Sequence, residues 1–177
     1  MIGAFGDSVI KGYGVLGNSF VNIDGIKNFG VNGITSKNLL EIVQNSNLNN
    51  GIIFIGINDF LNGESVDSTI KNLDDIISVF KSRNGKLILC IPYKLSDEIY
   101  GFPISGVNKK IKLFRESILK INDNQVRILD FYKILGEIKD YESLFFDGIH
   151  PNTNTHQLMK ICLLEVLWTD WLKSIEV

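Results

Sequence analysis

Three side chains near the two ends of the 177-residue sequence are of the types that nucleophilic catalysis needs. Ser8 lies in GDSV at positions 6–9, and Asp147 and His150 lie in DGIHPN at positions 147–152. A serine hydroxyl is a weak nucleophile at neutral pH and needs an adjacent base, and imidazole is the side chain that titrates near neutrality. Since Asp147 precedes His150 by three residues, a short turn would aim its carboxylate at Nδ1 and leave Nε2 for the serine.

Two further segments, GITS at 33–36 and GIND at 56–59, contain residues that suit an oxyanion site. Gly33 would let the backbone approach a substrate closely, and Asn58 can donate an amide hydrogen to a developing negative charge. Each residue has a simpler alternative role. Ser8 suits a helix cap, Gly33 and Asn58 suit turns, and the Asp–His pair suits a loop ion pair. Their joint occurrence favours the catalytic interpretation.

Short apolar runs alternate with helical periods along the chain. The runs that predict strands are residues 2–5, 51–56, 86–92 and 125–130. The segments with apolar residues at helical spacing are 39–43, 66–80, 107–118 and about 153–172. This alternation predicts an α/β fold with a parallel sheet and helices on both faces. Ligands bind such sheets at the carboxyl ends of the strands, which is where the polar segments stand.

The four segments, in this order and with these flanks, resemble the SGNH (GDSL-type) hydrolase family from Gly6 to Pro151. The resemblance implies a three-layer α/β/α sandwich with a parallel, flavodoxin-like sheet. It also implies the activity of a serine esterase, thioesterase, lipase or carbohydrate deacetylase. The length predicts a single domain over residues 1–177.

Carried over by position, the resemblance makes Ser8 the nucleophile, His150 the general base and Asp147 the residue that orients the base. The oxyanion hole would consist of the backbone N–H groups of Ser8 and Gly33 and the side-chain amide of Asn58. The sequence departs from the family pattern at two positions that supply no chemistry. Val9 replaces a leucine, and Ile57 stands where many members have threonine.

Composition narrows the classes of partner. Apolar residues make up 45% of the chain, charged residues make up 21%, and the net charge is −2, as in an ordinary globular protein with no electrostatic preference for nucleic acid. No apolar run is long enough for a membrane span, and the N-terminus lacks the pattern of a signal peptide, which predicts a cytoplasmic protein. Cys90 and Cys162 are expected to be free thiols, and no metal or cofactor is expected.

The string GYGVLG at 12–17 matches the dinucleotide-binding pattern GxGxxG, but its context argues against that function. Six residues separate it from the first predicted strand, and the residues after it do not have a helical pattern. The main alternative to an enzyme is a non-catalytic flavodoxin-like domain that binds a small molecule. Asp7 and Asp59 are expected to hold loops, and His156 is expected to be a structural helix residue.

The predicted substrate is a small or short-chain acyl ester, hydrolysed through an acyl-enzyme. Acetylated sugars, lysophospholipids and thioesters remain open as substrates, and the oligomeric state is not predicted. Phe60, Tyr93 and Phe102 are expected to line the pocket, because they follow strand ends. Trp168 and Trp171 are expected to lie in the core.

Overall fold

A computed structural model of the chain describes residues 1–97, 99 and 104–169. At its centre is a parallel sheet of five strands in the order β2-β1-β3-β4-β5. The strands are β1 (Ile2–Gly6), β2 (Ile26–Gly30), β3 (Asn50–Phe54), β4 (Leu87–Ile91) and β5 (Val126–Asp130). The prediction of a parallel α/β fold is confirmed.

Seven α-helices and one short 3₁₀-helix, Glu142–Leu144, connect and flank the strands in the described part of the chain. The α-helices are α1 (Ser8–Lys11), α2 (Ser36–Asn45), α3 (Ile57–Leu61), α4 (Val66–Ser82), α5 (Ile104–Ile118), α6 (Phe131–Gly136) and α7 (Thr153–Leu167). The predicted helices correspond to α2, α4, α5 and α7. Helix α4 ends at Ser82, and the chain then turns through Asn84, which adopts the left-handed conformation with φ 53°.

Two helical layers cover the sheet. The connections from β2 to β3, β3 to β4 and β4 to β5 all run in the same direction across the sheet, so right-handed crossovers place α2, α4 and α5 on one face. These three helices pack side by side. On the other face, the ring of Phe20 contacts Phe131 of α6 and His156 of α7. The result is a three-layer α/β/α sandwich.

The central strands β3 and β4 are almost continuously buried, which explains their unbroken apolar sequences. Strand β2 was not predicted from the sequence, and its position explains why. It lies at the edge of the sheet, where Lys27 and Asn28 are exposed, so the strand needs few apolar residues. Only its pairing with β1 identifies it as a strand.

The strand order places a topological switch point beside β1, because the chain leaves β1 towards one edge and later returns to the other side as β3. Gly6, the last residue of β1, is paired with both Gly30 of β2 and Phe54 of β3. The segments that follow these three strands therefore begin at the same edge of the sheet. They contain Ser8, Gly33 and Asn58, respectively.

The two cysteines and Trp168 lie outside the site. Both cysteines are free thiols, with Cys90 buried in β4 and Cys162 half-buried in α7. Trp168 is 71% exposed, so the prediction that it lies in the core is wrong, while Trp171 lies outside the described residues. Within the ranges that the structure describes, no helix combines the length and apolar character needed to span a membrane.

Candidate active site

Ser8 is the first residue of α1, directly after the turn that ends β1. Asp7 caps this helix, because its Oδ1 accepts a hydrogen bond from the backbone N–H of Val9 at 2.9 Å. The Ser8 hydroxyl is therefore not the cap of α1, so the simpler role of a helix cap does not apply to this residue. It lies instead 2.9 Å from Nε2 of His150, a residue 142 positions away in the chain.

His150 is held by Asp147 through two contacts. The Asp147 Oδ2 lies 2.6 Å from Nδ1 of the imidazole, and Oδ1 accepts from the backbone N–H of His150 at 2.7 Å. Oδ1 also accepts from the N–H of Ile149 at 2.9 Å, which closes the short turn expected from the three-residue spacing. The structure thus brings Ser8, His150 and Asp147 into one hydrogen-bonded chain.

The electrostatics of Asp147 fix the direction of that chain. Partial burial by itself would raise the pKa of Asp147, but the hydrogen bonds from His150 and Ile149 outweigh burial and hold the pKa below its ordinary value. An ionised carboxylate only accepts hydrogen bonds, so Nδ1 of a neutral His150 carries the proton. Nε2 is then the acceptor that faces the Ser8 hydroxyl.

The segment after β4 supports the loop that carries His150. The Tyr93 hydroxyl donates to the carbonyl of Ile149 at 2.9 Å, and the backbone N–H of Ser96 donates to the carbonyl of Gly148 at 2.9 Å. The prediction that Tyr93 lines a pocket is wrong, because its side chain is 0% exposed. The residue holds the His150 loop from inside the core.

Phe60 also differs from its expected role. It is 2% exposed and packs edge-on against Phe114 with ring centroids 5.5 Å apart, which fastens α3 to α5. The prediction that Phe60 lines the pocket is therefore wrong, because a strand-end position alone does not distinguish a pocket wall from a core contact. Phe102, the third predicted pocket residue, lies outside the described residues.

Gly33 and Asn58 follow the two strands that flank β1. Gly33 is exposed, has φ +73° and has open space where a Cβ would stand, so its backbone is accessible to a ligand. The Asn58 amide donates to the carbonyl of Ile34 at 3.1 Å, which ties Asn58 to the loop that contains Gly33. The side chain is partly buried and keeps a second amide hydrogen. The two residues lie on the same edge of the sheet as Ser8.

Asp59 and Asp7 have the structural geometry that the sequence indicated. Asp59 accepts from the backbone N–H of Ser36 at 3.0 and 3.1 Å and from its hydroxyl at 2.5 Å, at the start of α2. Burial raises the pKa of Asp59, and its hydrogen bonds with Ser36 oppose that rise. Burial raises the pKa of Asp7 to about 7, although the hydrogen bond from Val9 opposes the rise.

Sequence reasoning missed two aromatic neighbours of His150. The ring centroids of Tyr13 and Phe146 lie 4.7 and 5.7 Å from that of the imidazole. Tyr13 belongs to the glycine-rich string at 12–17, which forms turns after α1 instead of opening a helix as a dinucleotide-binding string does. Phe146 directly precedes the DGIHPN segment in the sequence, and this position is the signal that could have identified it as a neighbour of His150.

Two surface clefts share Glu142 in their linings, and the first of them reaches Asp147. One of about 230 Å³ is lined by Ser96, Ile99, Glu142, Phe145, Phe146, Asp147 and Gly148. The other, of about 370 Å³, is lined by Lys94, Tyr132, Gly136, Tyr141 and Glu142. Among the described residues, no three His, Cys, Asp or Glu side chains are grouped as a metal ion would require.

The fold is similar to that of several solved structures. A member of the lipolytic protein G-D-S-L family from Veillonella parvula has a TM-score of 0.74 and 23% identity, covering 95% of this chain and 98% of that one. A lipase/acylhydrolase from Enterococcus faecalis has a TM-score of 0.77 and 21% identity, with 94% of both chains covered. The psychrotrophic esterase EstA from Pseudoalteromonas sp. has a TM-score of 0.68 and 19% identity, covering 97% and 98%.

Sequence comparison adds the family. None of the curated proteins matches the chain. The model of the GDSL-like lipase/acylhydrolase family matches residues 4–158, a range that contains Ser8, Gly33, Asn58, Asp147 and His150. That match covers most of the sequence and agrees with the fold of the solved structures. The chain belongs to the GDSL-like lipase/acylhydrolase family, and it is a hydrolase of ester bonds.

Proposed function

We propose that this protein is a serine esterase that hydrolyses small or short-chain acyl esters through an acyl-enzyme. Ser8 is the nucleophile, His150 is the general base and acid, and Asp147 orients the imidazole. The observation that carries this proposal is the hydrogen-bonded chain from Ser8 Oγ to His150 Nε2 at 2.9 Å and from His150 Nδ1 to Asp147 Oδ2 at 2.6 Å.

In the first half of the reaction, the Ser8 oxygen attacks the acyl carbonyl carbon while its proton passes to Nε2 of His150. The carbonyl π electrons move to oxygen, and the N–H groups of Ser8 and Gly33 and the amide of Asn58 stabilise the oxyanion. When the carbonyl re-forms, the bond to the alcohol oxygen breaks, and His150 returns the proton to that oxygen. The product at this point is an acyl ester of Ser8.

In the second half, His150 removes a proton from water as the water oxygen attacks the acyl carbon. Collapse of the second oxyanion breaks the bond to the Ser8 oxygen, which takes the proton back from His150. The acid leaves and the enzyme is regenerated. The same sequence of steps applies to acetylated sugars, lysophospholipids and thioesters, since each presents an acyl carbonyl bonded to an alcohol oxygen or a thiol sulfur that can leave with the proton.

The first test is the rate of p-nitrophenyl acetate hydrolysis by wild type, Ser8→Ala and Ser82→Ala. Ser82 is an exposed helix serine whose hydroxyl bonds only locally to Val79, so its loss controls for the substitution itself. We expect Ser8→Ala to lose turnover while keeping its thermal stability, and Ser82→Ala to match wild type. Equal rates in wild type and Ser8→Ala would favour the non-catalytic binding domain.

A phosphonate ester provides the companion measurement, because a phosphorus centre traps the nucleophile. The Pseudoalteromonas esterase was solved with monoethylphosphonate as inhibitor. Here the mass spectrum should place the adduct on Ser8, and an adduct elsewhere contradicts the assignment.

The pH dependence of hydrolysis tests the role of His150. Wild-type activity should rise with pH between about pH 5 and 8, because only neutral imidazole accepts the serine proton. A flat profile over this range would contradict the role of His150.

A further inference from the structure

Tyr13, Phe146 and His150 form a cluster of three rings, called the ring cluster below. The centroids of Tyr13 and Phe146 are 6.1 Å apart, and they lie 4.7 and 5.7 Å from the imidazole. These distances form a nearly equilateral triangle, so the two aromatic rings lie on one side of the imidazole and support each other. They do not enclose it from opposite faces.

The two aromatic rings of the cluster are unusually exposed. Tyr13 and Phe146 are each 47% exposed, and among the described aromatic side chains only Trp168 is comparably exposed. Exposing two aromatic rings together costs apolar burial, so the position calls for a reason other than folding. Their location against the imidazole that faces Ser8 supplies one.

The backbone around the ring cluster is shaped to hold it. Gly14 has φ +77°, which favours glycine, and a Cβ at this position would lie 2.4 Å from the ring of Phe146, so any other residue would displace that ring. The N–H of Phe146 donates to the carbonyl of His150 at 3.2 Å, which fixes the ring to the loop of the base. The glycine-rich string at 12–17 therefore has a packing role beside the active site.

The reaction determines which half of an ester meets these rings. The oxygen of the departing alcohol must come within hydrogen-bond distance of Nε2 to receive its proton, so the alcohol lies against the surroundings of the imidazole. The carbonyl oxygen is directed instead to Gly33 and Asn58, which belong to the segments that follow β2 and β3. We propose that Tyr13 and Phe146 bind the alcohol half of the substrate and select esters of flat, uncharged alcohols. This inference rests on the proposed function.

Phe146 also borders a cleft of about 230 Å³ on the Asp147 side of the imidazole, and this cleft affects the charge that the alcohol meets. Its lining includes the carboxylates of Glu142 and Asp147, which disfavour an anionic alcohol. Stacking on an aromatic ring contributes about 0.5–1.5 kcal/mol, which corresponds to a specificity factor of up to roughly ten.

The test compares acetate esters of methanol, phenol and naphthol on wild type, Tyr13→Leu and Phe146→Leu. For each ester the ratio of kcat/KM between wild type and variant is taken, so the intrinsic reactivity of the ester cancels. We expect the ratio for naphthyl acetate to exceed the ratio for methyl acetate by about tenfold. The ring-retaining variants Tyr13→Phe and Phe146→Tyr should keep the preference for naphthyl over methyl acetate, and Trp168→Leu controls for loss of an exposed ring.

Three results would overturn the proposal. An equal loss on all three acetates would mean that the rings only position His150. Ratios that vary with acyl length in a series of p-nitrophenyl esters would place the rings on the acyl side. Equal ratios for the Trp168→Leu control and the cluster variants would show a general effect of surface apolarity.

A binding measurement separates this proposal from the proposed function. Naphthol is titrated into Ser8→Ala and into Ser8→Ala with Phe146→Leu, and the aromatic NMR signals are followed. Saturable binding that weakens in the double variant supports the site even if the wild type hydrolyses no acetate. Absence of saturable binding to Ser8→Ala overturns the site whatever the turnover of the wild type.

Discussion

At the scale of a residue, the proposed role of Asn58 depends on how its side-chain amide is shared. The amide has two hydrogens, and one of them is donated to the carbonyl of Ile34 at 3.1 Å. That bond ties Asn58 to the loop of Gly33, and the second hydrogen is the one that the proposed mechanism assigns to the oxyanion. A carboxylate or an apolar side chain could not do both.

We expect Asn58→Ala to lower kcat by ~10²–10³ with little change in KM, because an oxyanion donor acts mainly in the transition state. The matched control is Asn72→Ala, since the Asn72 amide donates to Ser36 Oγ at 2.9 Å near the same loop. Steady-state kinetics with p-nitrophenyl acetate provide the measurement. If Asn72→Ala loses as much kcat as Asn58→Ala, the effect comes from loop packing and the donor role is refuted.

At the scale of elements, the site depends on bonds that join one helix or loop to another. Helix α2 begins at Ser36, yet its N-cap residue, Thr35, makes no side-chain capping bond. Asp59 of α3 replaces that cap by accepting the Ser36 N–H and hydroxyl. These hydrogen bonds therefore hold helices α2 and α3 together.

Replacement of Asp59 by alanine should lower the free energy of unfolding by about 2–3 kcal/mol, since it leaves the buried N–H of Ser36 without a partner. Asp59→Asn, which keeps one acceptor, should lose less. Asp75→Ala is the control, because Asp75 pairs with Lys71 on an exposed helix face and should cost at most about 0.5 kcal/mol. Urea denaturation checks all three variants, and an equal loss for Asp59→Ala and Asp75→Ala would contradict the cross-element cap.

For the whole molecule, two buried groups near the site give opposite contributions to the pH dependence of stability. Burial raises the pKa of Asp7 to about 7, whereas burial, aided by the charge of His150, lowers the pKa of His156 to about 4. The His156 Nδ1 accepts the N–H of Phe20 at 3.2 Å, and its buried Nε2 has no hydrogen-bond partner among the described residues. His156 is therefore a structural residue of α7, held in the neutral form.

The signs follow from the protons that each state binds. Between pH 4 and 6.5 the unfolded chain protonates His156 and the native state does not, so this residue adds stability as the pH rises. Between about pH 4 and 7 the native state keeps a proton on Asp7 that the unfolded chain loses, so Asp7 removes stability as the pH rises. The two contributions oppose each other over the shared interval.

We therefore expect Asp7→Asn and His156→Gln to change the pH slope in opposite directions. As the pH rises from 4 to 6.5, the free energy of unfolding of Asp7→Asn should increase relative to that of wild type, by up to about 1.4 kcal/mol per pH unit. Over the same range, the free energy of unfolding of His156→Gln should decrease relative to that of wild type. Asparagine keeps the cap of α1, and glutamine keeps an acceptor for the Phe20 N–H. Urea titrations across this range measure the slopes, with the exposed Asp24→Asn as control. Slopes that shift in the same direction for both variants would contradict this account.

The proposed catalytic residues could be named from the sequence because their chemistry restricts residue type and spacing. Asp147 and His150 are close in the chain, so a local turn joins them, and Ser8 follows a strand that its apolar run identifies. The interpretation of Phe60 and Tyr93 failed because burial depends on which elements pack over a ring. Strand β2 was missed for a related reason, since an edge strand has a weak apolar pattern.

By itself, the sequence determined the α/β alternation, the parallel sheet and the residues able to supply a nucleophile, a base and an oxyanion site. Those features depend on local periodicity and on side-chain chemistry, which are properties of neighbouring residues. Only the tertiary structure decided that Tyr13 and Phe146 meet at His150, that Tyr93 supports its loop, and that Asp59 caps a helix from another element. Such contacts join residues far apart in the chain, because the strand order and crossovers determine which segments become neighbours in space.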